Sequence, residues 1–245
     1  MSDEAYALLE AAFASGDPLA EAARLAPEQR QALRSFWIAR ASGELTTALS
    51  FEFMLDDLRE LQAPRVLLQL AERAVSEEHR HVDWCLRFAR LLGEGEDARA
   101  ELGGTSPLTF DGASDADNRV LRTVFGGCFS ETVAVHVLRA SQELLTEDAT
   151  SRLNRQHLAE EIGHSRLGWG LLGWPGLGSQ ALALVAEYAP AMEALTRSLW
   201  LGPRRAHDHE LEALGYLSRP LVTQALDQAF AEVIWPGLAR CGVRV

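Results

Sequence analysis

An all-α fold is predicted for this sequence: four long helices in a bundle with one long crossover, plus additional N- and C-terminal helices. Three observations predict it. Apolar residues recur at intervals of three and four, the spacing that lines one face of an α-helix. Proline and glycine clusters separate these stretches into long segments. Acidic residues that interrupt the apolar stripes occur in one order, twice over: an isolated Glu, then Glu-x-x-His.

Residues 1–14 read as a short amphipathic helix halted by Ser15-Gly16-Asp17-Pro18. Pro27 suits a first helical turn, and Glu28 lies favourably near its N-terminus. From there a helix can run to about Leu61. Phe36, Trp37, Ala41, Glu44, Ala48, Phe51 and Leu55 share its inner face, while Glu52 and Glu60 fall outside that stripe.

Pro64 opens the second helix, whose stripe is Val66, Leu67, Leu70, Ala74, Glu78, His81, Cys85 and Phe88, flanked by Glu77, His79 and Arg80. Gly93 and Gly95 close it. Residues 93–118, rich in Gly, Asp, Ser and Glu, form the crossover. The third helix spans roughly 118–145 with Val120, Leu121, Val124, Cys128, Glu131, Val135 and Leu138 inward. His136 is one position off that line and reads as a surface residue. Gly126-Gly127 permits close approach of a neighbouring helix or of a substrate. The fourth helix covers about 149–172 and stops at Gly173-Trp174-Pro175-Gly176. Residues 177–245 supply two to four further helices, interrupted at Pro190, Pro203, Pro220 and Pro236. No internal boundary stands out, so residues 1–245 read as a single domain, with a metal-binding bundle over about 27–172.

The chemistry concentrates in NRQHLAEEIGHSRLGW, residues 154–169. On a helix turning about 100° per residue, His157, Glu161 and His164 fall on one face. Burying an unpaired carboxylate costs several kcal/mol, so a divalent cation is its natural partner there. One Glu-x-x-His is weak evidence by itself. Glu78 and His81 repeat the spacing, and Glu78 rather than Glu77 is the expected ligand because only Glu78 has His81 three residues on. Glu44 precedes the first pair by 34 residues and Glu131 precedes the second by 30, separations that two antiparallel helices and a turn require.

In this order of ligands, residues of about 36–172 resemble the ferritin-like di-iron carboxylate proteins. The extra His157, giving His-x-x-x-Glu-x-x-His, is similar to the arylamine N-oxygenase (p-aminobenzoate N-oxygenase-like) branch. The resemblance implies a non-haem di-iron oxygenase: two Fe ions (Mn in their place is an alternative), O2 as co-substrate, a small-molecule substrate and an external electron donor. It implies Glu44, Glu78, His81, Glu131, His157, Glu161 and His164 as the metal ligands and catalytic set. Glu78 and Glu161 would bridge or chelate, and Glu44 and Glu131 would be terminal. A ferritin-type ferroxidase or storage protein is the rival reading, and a catalytically silent bundle the third.

The rest of the sequence narrows partners. A net charge of −12, from 23 Lys and Arg against 35 Asp and Glu, disfavours nucleic acid and anionic membranes. No window is apolar enough for a membrane span. Cys85, Cys128 and Cys241 show no C-x-x-C spacing, so a zinc ribbon or disulfide framework is not expected. With no secretory pattern at MSDEAYALLEAAF, the expected location is cytoplasmic. Cys128, one turn before Glu131, reads as a core residue. His207 and His209 read as a solvated turn. A homodimer is compatible with all of this.

Overall fold

The computed structural model describes residues 22, 24–93, 97–145, 148–202 and 208–244, and every regular element among them is helical. The expected helix over 1–14, Gly95, Pro203 and His207 lie outside the described residues.

Helix α1 runs Pro27–Glu60 and α2 runs Arg65–Leu92. Gln62 takes a φ of 53°, and the Ala63 amide donates to the Leu58 carbonyl at 2.9 Å. This tight reversal before Pro64 folds α2 back along α1, so the two pack over their length. Glu52 and Glu60 are exposed, as their offset from the stripe requires. The expected inner line of α2 needs one correction. Val66 is 60% exposed, and the buried line is Leu67, Ala71, Ala74, Glu78, His81, Cys85 and Phe88.

The crossover runs beside α1. The Glu101 amide donates to Ser42 Oγ at 3.0 Å, and Arg34 Nη2 donates to the Asp97 carbonyl at 2.9 Å. Helix α3 spans Asp115–Val124, three residues earlier than the apolar pattern alone suggests. The reason is its cap: Ser114 Oγ accepts from the Asp117 amide at 3.2 Å. Arg122 then clamps Asp57 with two bonds, of 2.7 and 2.6 Å, fastening α3 to α1.

A π-helical turn, Phe125–Ser130, joins α3 to α4, Glu131–Gln142, and the Glu131 amide reaches back to the Gly126 carbonyl. One extra residue per turn shifts the face that everything after it presents, and such turns cluster at functional sites. Helix α5, Asp148–Leu172, crosses here. A Cβ on Gly127 would collide with the Gly168 backbone, and one on Gly168 would lie 2.6 Å from the Cys128 nitrogen. Gly127 therefore serves a helix crossing.

Beyond Gly173 come a 3-10 turn, Pro175–Leu177, then α6 at Gly178–Trp200, the short α7 at His209–Glu212 and α8 at Arg219–Gln228. A second π turn, Ala229–Ile234, leads into α9, Trp235–Arg240. Two expected interruptions do not occur. Pro190 lies inside α6, and Pro236 follows the π turn without ending the helical run. Pro220 opens α8 instead of breaking it.

Two apolar clusters fill the interior. One contains Leu33, Trp37, Phe88, Leu153 and Leu211; the other contains Phe51, Leu121, Phe129, Leu167 and Leu226. Along α1, α2 and α5 the acidic and histidine positions fall between them. No described helix is long and apolar enough to cross a membrane.

Gly127→Ala gains roughly 0.5–1 kcal/mol of helix preference and loses about 1–3 kcal/mol to overpacking at the crossing. A net loss of stability is expected, read as a lower urea midpoint with unchanged slope.

Candidate metal centre

All seven residues singled out in the sequence converge. Glu44, His81, His157 and Glu161 each offer an atom within 4.8 Å of the others, and so do Glu78, Glu131, Glu161 and His164. Glu161 belongs to both groups. Four separate helices contribute: α1, α2, α4 and α5. Glu78, Glu131, Glu161 and the three histidines are buried, and the Glu44 side chain is 14% exposed.

The two halves mirror one another. His81 Nδ1 lies 3.2 Å from Glu78 Oε2 and 3.7 Å from Glu161 Oε1. His164 Nδ1 lies 2.9 Å from Glu78 Oε1 and 3.1 Å from Glu161 Oε2. Each of these two carboxylates thus turns one oxygen toward each histidine. The outward nitrogens cross over: His81 Nε2 donates to Glu160 Oε2 at 2.7 Å, and His164 Nε2 donates to Glu77 Oε2 at 3.0 Å. Arg80 Nη2 lies between the outer pair, 3.5 Å from Glu77 and 3.2 Å from Glu160.

Glu77 and Glu160 were not expected as part of the site. Their signal is in the sequence, because both copies read Glu-Glu-x-x-His. The first Glu of each tandem sits about 100° round its helix, which points it at the opposite histidine. His136, expected at the surface, is buried and has Nδ1 2.9 Å from the Thr132 carbonyl oxygen. His79 and His209 are exposed. Cys128 is fully buried core, and burial pushes its thiol well up.

The third histidine joins the other half from the one its own helix suggests. The His157 ring lies with its centroid 3.7 Å from that of His81, tilted by 36°, with Nε2 2.7 Å from Glu161 Oε1 and 3.7 Å from Glu44 Oε1. Arg40, unremarked in the sequence, lies behind it: Nη2 is 2.9 Å from His157 Nδ1 and Nε is 3.2 Å from Glu44 Oε1.

Electrostatics follow from burying so many acids together. Burial, then the charge of Glu78, raises the Glu44 carboxyl to about 7. Burial and Glu161 push Glu131 well above the carboxylate range, so that it donates to Glu161. Burial disfavours a charged His81, but Glu78, Glu160 and Glu161 outweigh it and hold the ring up to about 10. His164 is raised for the same reason. His157 goes the other way, to about 3, through burial and the neighbouring His81 charge. Two carboxylates, Glu78 and Glu161, then face two imidazolium rings, His81 and His164. Protons supply the positive charge the acids need.

Carboxylate oxygens and imidazole nitrogens fit a divalent metal of the iron or manganese kind, and thiolates are absent from the group. Glu78 Oε1 adds a second sign of fit: it is fully buried and meets no hydrogen-bond geometry, with His164 Nδ1 at 2.9 Å. The cluster could therefore hold a metal ion. Aromatic rings pack against two of the histidines, Phe51 at 5.2 Å from His164 and Trp84 at 5.3 Å from His81. The cluster borders a cavity of about 1420 Å³ whose wall includes Phe36, Glu44, Glu131, His157, Glu161 and Tyr216. Tyr216, far along the chain from every ligand, is brought to the cavity by folding.

No protein-family model, curated protein or solved structure matches this chain.

Two outcomes are expected for any divalent metal. Ligand atoms must shed their protons, so binding at pH 6 releases about four protons, and affinity rises with pH as Glu44 passes its value of about 7. Calorimetry in buffers of different ionisation heat measures the release; none would contradict the ligand set. Glu160→Gln or Glu77→Gln lowers metal affinity by about 10–100-fold, measured by chelator competition.

Proposed function

We propose that this chain is a ferritin-like di-iron oxygenase that oxidises an amine nitrogen, an arylamine first among candidates. Residues 1–245 are read as one domain. One observation carries the reading: two half-sites share Glu161 and border a cavity large enough for an organic substrate. A storage ferroxidase needs a path for ions and has no use for 1420 Å³ beside its centre.

In this reading Glu44, Glu78, His81, Glu131, Glu161 and His164 would hold two metal ions, which when bound would supply electrons to O2 and be re-reduced by an external donor. The chain's own groups do the rest. Glu160 and Glu77 hold the Nε2 protons of His81 and His164, fixing both rings. Phe51 and Trp84 pack their rings against His164 and His81. On the cavity side Gly43, Ser130 and Ala134 are small, so a planar ring can approach Glu44 and Glu131. Manganese suits the same donors.

The test is to load the protein with Fe(II) without air, add O2 and an arylamine, and follow hydroxylamine or nitro product by mass spectrometry. Product is expected with two irons bound, and is lost in Glu161→Ala. A protein holding two irons that converts no member of a broad amine panel would remove the N-oxygenase reading.

A further inference from the structure

The three histidines differ in what stands behind them. Behind His81 and His164 stand carboxylates, which can only accept. Each takes an Nε2 proton, so the inward nitrogen, Nδ1, can offer a lone pair once it sheds its own proton. Behind His157 stands Arg40, with Nη2 2.9 Å from Nδ1. A guanidinium has five N–H donors, no acceptor, and does not give up its proton. His157 Nδ1 must then accept. The ring proton is left on Nε2, and the 2.7 Å contact to Glu161 Oε1 is a donation. A ring in this state turns no lone pair toward the other ligands.

Arg40 is well held. Its Nε donates to Glu44 Oε1 at 3.2 Å, its guanidinium lies 5.4 Å from the Trp37 ring centroid, and its side chain is 13% exposed. It also forms part of the cavity wall.

We propose that Arg40 is a positioning residue that keeps His157 in the Nε2–H tautomer and off the metal. His157 then joins the Glu44, His81 and Glu161 half only when Arg40 leaves. On that step the ring gives its Nε2 proton to solvent and takes one from solvent at Nδ1, so it stays neutral and solvent loses no net proton. The tautomer stands on the hydrogen bonds alone; its consequence for metal rests on the two-metal reading above.

Two measurements test it on the full chain. Long-range 1H–15N spectra of histidine-labelled, metal-free protein should show the His157 resonance, identified by its loss in His157→Gln, with a protonated Nε2 and a bare Nδ1. A protonated Nδ1 would overturn the proposal. Zn(II) is then titrated into wild type and Arg40→Gln, whose amide oxygen can accept an Nδ1 proton. The second ion is expected to bind about tenfold tighter in the variant. Equal affinity in two folded proteins, as judged by circular dichroism, would also overturn it. Arg40→Met repeats the comparison if the Gln variant does not fold. Failure of every protein to take two ions would remove the two-metal reading, while the spectrum still decides the tautomer.

Discussion

Burying four carboxylates and three imidazoles in the middle of a helical bundle is the constraint on which the rest depends. Each ionised group moved out of water costs several kcal/mol even after relaxation. The chain meets that cost with paired opposites: Glu78 and Glu161 against His81 and His164, with Glu77, Glu160 and Arg80 outside them. The apolar clusters above and below hold four helices in register so that these contacts can form. Without that frame the acids would spread into solvent.

The pairing is symmetric, and the symmetry is broken on one side. Glu-Glu-x-x-His occurs on α2 and on α5, and each tandem supports the other's histidine. His157 has no counterpart: Ala74 stands four residues before Glu78. The unmatched imidazole, the unmatched guanidinium of Arg40 and the cavity all lie on the same side. The cluster is therefore asymmetric, with aromatic rings packed against His81 and His164 and a cavity beside Glu44, Glu131 and His157.

Helical periodicity made much of this legible before folding. The spacing of Glu44, Glu78, Glu131 and Glu161 within apolar stripes identifies inward carboxylates because a side chain on that face has nowhere else to go. Other features were misread for physical reasons. His136 is polar and off-stripe, yet a carbonyl of its own helix accepts it in the interior. Pro190 and Pro236 stay within helical runs. Glu77 passed as a flanking residue, and Glu160 was not singled out, because a stripe defined on one helix cannot show what the facing helix offers.

The residues themselves decided that the protein is helical, where the long helices begin and stop, and which carboxylates and imidazoles point inward, since these follow from local periodicity and caps. Tertiary structure alone decided which histidine lies against which, that Glu161 belongs to both groups, and that Arg40 stands behind His157. Those relations join atoms up to 117 positions apart in the chain. They depend on the crossing of Gly127 over Gly168 and on the π turn before Glu131, neither of which a 3.6-residue period contains.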